Sequence, residues 1–320
     1  MKALILCDGY GKKKSVEADR SNALIDLKPD FQVIDKLLLD LATIGINEAA
    51  LQTGVSSDML ENALGHERKG IRLTYKKTER TFETITRLLA DIDDDVLLLD
   101  GGIVTDINLK KMIMKFAKAG APIMLYTTTY EDTQNHINHS ENRFDCCEFS
   151  EVFGGILCIK NGFDLSDFVL GDELENVFPV LDDLGYLAYY DEYNFWDTFY
   201  TENGKARITR EWHNKTAKPW GYEKVQIITE LYLLKELYIR EGFQSSYHFH
   251  KNKDETMLIT RGTGFIQFED RREYFEVGDT IHIRPYERHT IVASTDTILY
   301  EASTPFLEDT TRVKDYYPVR

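Results

Sequence analysis

The chain has 320 residues, a length that favours two domains over one. Its 38 Lys and Arg against 54 Asp and Glu leave a net charge of −16, which argues against nucleic acid and anionic membrane surfaces as partners. The longest apolar runs, such as residues 3–7 and 96–99, are far too short to span a bilayer, and Met1-Lys2 followed by one short run and Asp8 does not form a secretory signal. The four cysteines, Cys7, Cys146, Cys147 and Cys158, lack zinc-ribbon spacing, so a reduced cytoplasmic protein is expected.

In chain order, residues 2–7 predict a short buried strand and residues 35–44 an apolar-periodic helix ended by Gly45. Strands are expected at 48–53 and 71–75, with a short helix at 58–64 between them that Gly65 closes. A helix at 81–92 precedes the continuous apolar run 96–99, whose composition suits the centre of a parallel sheet. A helix at 108–119 and a strand at 122–127 complete a βαβα rhythm, the pattern of a doubly wound, Rossmann-like α/β sheet. The cluster Asp91, Asp93, Asp94 and Asp95 reads as a solvated loop before a strand. The character changes in the second half. Residues 225–240, and everything from Met257 onward, predict short strands with Gly, Pro and charged turns, the signal of an all-β sandwich or barrel. The polar stretch 203–218 reads as the joint, which divides the chain into residues 1–205 and 206–320.

The chemistry concentrates in Gly242-Phe-Gln-Ser-Ser-Tyr-His248-Phe-His250-Lys-Asn-Lys-Asp-Glu255, followed by Gly262 and later by His289. His248 and His250 alternate on a strand and so share a face. Residues 251–254 read as a turn that delivers Glu255 to the same neighbourhood. Three imidazoles and a carboxylate are borderline ligands that suit one divalent transition metal: Zn, Mn, Fe or Ni. His282 alternates with Ile281 and Ile283 and reads as an ordinary core or surface strand residue.

This stretch resembles the first motif of the cupin family, a double-stranded β-helix or jelly-roll, from Gly242 through Gly262. Gly278, Pro285 and His289 match its second motif more loosely. The resemblance implies a metal held by His248, His250, Glu255 and His289. Lys218-Pro219-Trp220-Gly221 resembles the opening of the cupin domain in type II phosphomannose isomerases, which follows a nucleotidyltransferase domain. That order implies a metal-dependent sugar-phosphate isomerase or epimerase acting in nucleotide-sugar or polysaccharide precursor metabolism. Gln244, Arg261 and Arg284 are candidate substrate residues, with Lys253 and Arg288 as further cations for the phosphate. The general base stays open among Glu241, Glu287, Tyr247 and Tyr286. Barrel edge strands also make homo-oligomerisation an expectation.

The first half carries a glycine-containing turn, Asp8-Gly9-Tyr10-Gly11-Lys12-Lys13, of the kind that lets backbone N–H groups approach a phosphate. With Gln52-Thr53-Gly54, Asp100-Gly101-Gly102 and Phe195-Trp196-Asp197-Thr198, it resembles the sugar-phosphate nucleotidyltransferase family. The resemblance implies that Gly9, Gly11, Lys13, Asp100 and Asp197 face a nucleotide or sugar phosphate, with Mg²⁺ if the domain is active. The departures point the other way. Lys13 stands in for an arginine without its bidentate fork, and the segment Ser21-Asn22-Ala23 lacks the family's lysine. Gly102 occupies the position of a metal-binding aspartate, leaving Asp197 alone of the usual pair, unless Asp100 or Asp106 takes over. Two alternatives to the isomerase reading follow: a transferase with an altered active site, or a non-catalytic sugar- or nucleotide-binding subunit.

Overall fold

The computed structural model describes residues 1–7, 21–78, 81–129, 143–144, 151–163, 187–190 and 194–318. The candidate loop residues Gly9, Gly11 and Lys13, and Cys146 and Cys147, lie outside the described residues. The chain divides into two compact units, Met1–Arg210 and Glu211–Arg320. Among the described residues no helix is long and apolar enough to cross a membrane.

The N-terminal unit is built on a mixed nine-stranded sheet. Lys2–Leu6 lies at its centre, parallel to Val96–Asp100 on one side and to Glu48–Gln52 on the other, and Ile71–Lys76 continues the parallel run. Lys2–Leu6 and Val96–Asp100 are nearly continuous buried apolar runs because both their faces are covered, whereas Ile71–Lys76, nearer the sheet edge, alternates buried and exposed residues. Leu4, Leu6, Leu98 and Leu157 pack with Ile85 and Leu88 of the helix Phe82–Ala90 in one core cluster. Helices Val33–Thr43, Ser57–Leu64 and Leu109–Ala119 fall where the sequence periodicity places them. Asn108 caps the last of these by accepting from Lys111 N at 3.1 Å, and Gly120 ends it in the left-handed region at φ 70°.

Two features correct the sequence reading. The sheet is not purely doubly wound: Glu151–Ile159 inserts antiparallel between Val96–Asp100 and Ile123–Thr129. Its paired glycines look like a break. Instead they mark a register shift between Phe153 and Leu157, and a Cβ at Gly154 would stand 2.2 Å from the Tyr126 ring. The polar stretch taken as a joint contains the helix Glu202–Trp212, which buries only Gly204, Ile208 and Trp212, one residue per turn. The acidic cluster is also more than a solvated loop. Asp94 takes the N-terminal ammonium at 2.8 Å, and Asp95 takes Lys160 Nζ at 2.8 Å and Asn161 N at 2.9 Å.

The C-terminal unit consists of two antiparallel sheets. One has six strands, in the order Lys215–Lys218, Gly221–Ile228, Leu233–Ile239, Thr297–Ser303, Glu255–Arg261, Thr280–Ile283. The other has five, in the order Arg272–Phe275, Gly264–Phe268, His289–Ala293, Tyr247–Phe249, Thr311–Lys314. Buried Met257, Ile259, Ile266, Phe268, Ile281, Ile283 and Leu299 alternate with exposed or half-buried neighbours along these strands, the period-2 signature of sheets with one covered face. Gly262 turns between two of these strands at φ 85°, where a Cβ would stand 2.5 Å from Asp296 O, so the turn admits only glycine.

Candidate metal centre

His248 and His289 are register partners on adjacent antiparallel strands of the five-stranded sheet, which brings their rings to 4.4 Å. His250 follows one residue beyond the Tyr247–Phe249 strand, its ring 5.0 Å from that of His248 and 5.9 Å from that of His289. The three imidazoles offer ligand atoms that all lie within 4.8 Å of one another. Glu255 opens a strand of the six-stranded sheet, yet its Oε1 lies 3.3 Å from His289 Nε2 and 3.6 Å from His250 Nε2. The four residues singled out by spacing therefore converge from both sheets, and His250, Glu255 and His289 are buried there.

The backbone fixes how each ring is presented. His248 Nδ1 donates to Ser246 O at 2.8 Å, His289 Nδ1 to Glu287 O at 3.0 Å, and His250 Nδ1 to Asp309 O. A carbonyl oxygen only accepts, so each Nδ1 carries a proton, which leaves Nε2 as the nitrogen able to serve as a ligand. Burial, reinforced by the neighbouring His289, drives the His248 pKa down to about 3. Burial also lowers that of His250, against the opposing pull of Glu255. Burial by itself would raise Glu255, but the closeness of His289 and the charge of Lys253 hold its carboxyl far below the usual range. His289 Nε2 and Glu255 Oε1 are buried without a hydrogen-bond partner among the described residues, while Glu255 Oε2 has the Lys253 ammonium at 3.2 Å. Buried polar atoms gathered at one point without hydrogen-bond partners are stabilised where a cation binds among them. The donor set fits a divalent transition metal.

A line of alternating charge leads to this point across the six-stranded sheet. Lys218 Nζ lies 3.5 Å from Glu223 Oε1, and Glu223 Oε2 lies 3.7 Å from Lys235 Nζ. Lys235 Nζ lies 2.9 Å from Glu301 Oε2, Glu301 Oε1 pairs with Lys253 Nζ, and Lys253 Nζ lies 3.2 Å from Glu255 Oε2. Each carboxylate gives one oxygen to the cation on either side. Burial opposes ionisation of Glu223, yet Lys235 and Lys218 bring its pKa down to about 2. Lys235 is raised despite burial by Glu301 and Glu223. The series ends at Glu255 Oε1, where the next cation in the alternation falls among the three imidazoles.

Asp309 closes the turn between the ligands. Its carboxylate accepts from the backbone N–H groups of Lys251, Asn252 and Lys253 at 3.2, 2.5 and 3.0 Å, while its carbonyl takes His250 Nδ1. Those backbone bonds outweigh burial and lower its pKa. Asp309→Ala keeps the carbonyl that takes His250 Nδ1 but removes the carboxylate that holds the 251–253 backbone, and it is expected to weaken metal binding by less than the about 10–100-fold lost with an outer partner that touches a ligand directly. Competition against a chromophoric chelator checks this, and unchanged affinity would contradict it.

Several candidates lie elsewhere. Gln244 bridges to Val292, on the face opposite Ile291 and His289, and its backbone is tied to Tyr317 Oη at 3.0 and 3.1 Å. Arg261 stands at the far end of the Glu255–Arg261 strand, about 20 Å along it from Glu255. Arg284 is exposed, one residue beyond Ile283, the register partner of Glu255. His282 is an exposed strand residue 2.9 Å from Asp254. Lys253, a candidate cation for the phosphate, is buried between two carboxylates. Sequence reasoning missed Lys235, Glu301 and Asp309. A signal was present for Lys235, which interrupts the inward alternation Leu233, Leu237, Ile239 with a charge.

In the N-terminal unit, Trp196–Thr198 pairs with Ile103–Thr105 and sets Asp197 opposite Val104. Asp197 is fully buried. Its Oδ1 accepts from Thr198 N at 2.8 Å, and its Oδ2 faces Arg207 Nε at 3.0 Å. Burial raises its pKa against both partners. Asp100 Oδ1 accepts from Gly102 N and from Tyr200 Oη, both at 2.8 Å. A Cβ on Gly102 would meet the Tyr200 ring at 3.1 Å and Asn22 Nδ2 at 3.2 Å, so a side chain at this position is tight against both and needs them to give by a few tenths of an ångström. Asp106 is buried.

Neither a described family nor a curated protein matches the sequence. Among solved structures, a putative glucose-1-phosphate thymidylyltransferase from Bacillus anthracis is similar over 68% of this chain and 98% of its own, with 12% identity and a TM-score of 0.56. KdgF from Halomonas sp. matches 31% of this chain and 92% of its own at 18% identity, with a TM-score of 0.29. An RmlC-like cupin from Shewanella frigidimarina matches 28% of this chain and 78% of its own at 16% identity, with a TM-score of 0.26. The first of these similarities establishes that the N-terminal part of the chain has a nucleotidyltransferase-like fold.

Proposed function

We propose that the C-terminal unit is a cupin acting as a metal-dependent sugar-phosphate isomerase or epimerase, of the mannose-6-phosphate isomerase kind. The observation that carries this reading is the convergence of His248, His250 and His289, whose ligand atoms lie within 4.8 Å of one another, with Glu255 Oε1 3.3 Å from His289 Nε2. A bound divalent ion supplies an electrophile for the carbonyl and hydroxyl oxygens of an open-chain sugar. The chain's own residues hold three imidazoles in one tautomer, keep His250, Glu255 and His289 away from water, and line one wall with fixed charge. Interconversion of mannose 6-phosphate and fructose 6-phosphate tests the reading. Turnover by the metal-loaded protein, lost in His248→Ala, is the expected result. Equal turnover in the metal-stripped protein, or silence across a panel of aldose and ketose phosphates, counts against it.

A second reading concerns the N-terminal unit: it binds a sugar phosphate or nucleotide-sugar without transferring the nucleotide. Its nucleotidyltransferase-like fold favours binding, while Tyr200 packs against Gly102 where the resemblance puts a metal-holding carboxylate, and Asp197 is engaged by Arg207. Transfer depends on positioned metal and cations around phosphate, so a glycine at the carboxylate position removes a working part. Calorimetric binding of a nucleotide-sugar with no pyrophosphate release from nucleoside triphosphates and sugar 1-phosphates is expected. Pyrophosphate release would restore the transferase reading.

A further inference from the structure

The carboxylate of Glu255 is divided between two environments. Oε1 faces the histidines, at 3.3 Å from His289 Nε2 and 3.6 Å from His250 Nε2, whereas Oε2 lies 3.2 Å from Lys253 Nζ. Lys253 is buried, and its ammonium is anchored on its other side by Glu301 Oε1. Glu301 is fixed in turn by Lys235 at 2.9 Å and by the Ser303 hydroxyl at 3.1 Å. The Lys253 backbone N–H is held by Asp309 at 3.0 Å, so neither end of the residue is free to drift. Lysine is a compact charge that satisfies one carboxylate oxygen without the two-pronged grip of arginine.

We infer that Lys253 is a positioning residue that restricts Glu255 to a single-oxygen ligand of the bound cation. The inference rests on the metal-centre reading above and goes beyond it, because it sets how many coordination positions remain for a substrate. Three imidazole nitrogens and one oxygen make four protein ligands. An ion that prefers six then keeps two open positions, while a tetrahedral ion keeps none. Both sugar oxygens of an aldose–ketose pair need such positions, so holding Oε2 back is what leaves room for them. Removing the ammonium frees Oε2 to become a fifth protein ligand.

The test uses the full-length protein loaded with Mn²⁺, in the wild type and in Lys253→Met, with the inner-sphere contribution to water-proton relaxivity as the readout. That contribution scales with the number of exchanging waters. It is expected to fall by about half in the variant, from two open positions to one on a six-coordinate ion. A fold disturbed by the loss of the Lys253 charge, which leaves Glu301 with Lys235 alone, is met by the double variant Lys253→Met/Glu301→Gln, in which Lys235 keeps Glu223 and which is expected to show the same fall. Stoichiometric Mn²⁺ with unchanged relaxivity in either folded variant overturns the positioning role. Failure of the wild type itself to bind Mn²⁺, Zn²⁺ or Ni²⁺ overturns the underlying metal reading instead, so the two failures are distinct.

Discussion

Adding a divalent transition metal to the metal-stripped protein is expected to raise the melting temperature of the C-terminal unit, and His289→Ala is expected to abolish that response. Three imidazoles and Glu255 are brought together by the fold, so the ion binds the native state and has no comparable site in the unfolded chain. At a free metal concentration 100 times its dissociation constant the native state gains about 2.7 kcal/mol. For a unit the size of Glu211–Arg320, that corresponds to a rise on the order of 10 °C or more. His289 meets Glu255 Oε1 directly and is the register partner of His248, so its loss opens the cluster from the middle. Scanning calorimetry with and without metal decides the matter. An equal shift in His289→Ala would place the ion elsewhere.

Glu301→Ala is expected to cost the C-terminal unit about 3–5 kcal/mol, the penalty for leaving buried charge without its partner. Glu301 stands between Lys235 and Lys253, both buried, so its removal sets two ammonium groups side by side with only Glu223 and Glu255 left to offset them. The comparison variant is Glu273→Ala, whose partner Arg271 is exposed to water. Such surface pairs are worth about 0.2–1 kcal/mol. Urea titrations of the two variants report the difference through their midpoints. A Glu301→Ala midpoint no lower than that of Glu273→Ala would show that the charges relax into solvent and that the alternating series is not a structural unit.

How much of this was legible in the sequence depends on how local the determining physics is. The parallel strands and their helices were readable because apolar runs of four to six residues, helical spacing and the stops Gly45, Gly65 and Gly120 are all local. The four clustered residues were readable because His248, His250 and Glu255 lie on either side of one turn, and His289 follows a turn of its own. Face parity was the weak point. Gln244 lies close to His248 in sequence but shares a face with Val292, and Arg261 shares a strand with Glu255 but not its end. Glu151–Ile159 escaped because its glycines look like a break and are explained only by the Tyr126 ring beneath them. The helix Glu202–Trp212 escaped because it buries one residue per turn. Lys253 and Glu301 lie 48 positions apart, and Asp309 lies 54 beyond Glu255, so no window along the chain holds both partners. A buried lysine looks like a surface lysine until the strand that neutralises it is known.

The central claim is that the three histidines and Glu255 hold a metal ion. The most direct measurement is elemental mass spectrometry on the wild-type protein and on His248→Ala, both purified without added metal. Near-stoichiometric Zn, Mn, Fe or Ni in the wild type, absent from the variant, is the predicted result. No transition metal in the wild type even after reconstitution, or equal metal in both proteins, would contradict it and move the search for function to the ligand that the N-terminal unit binds.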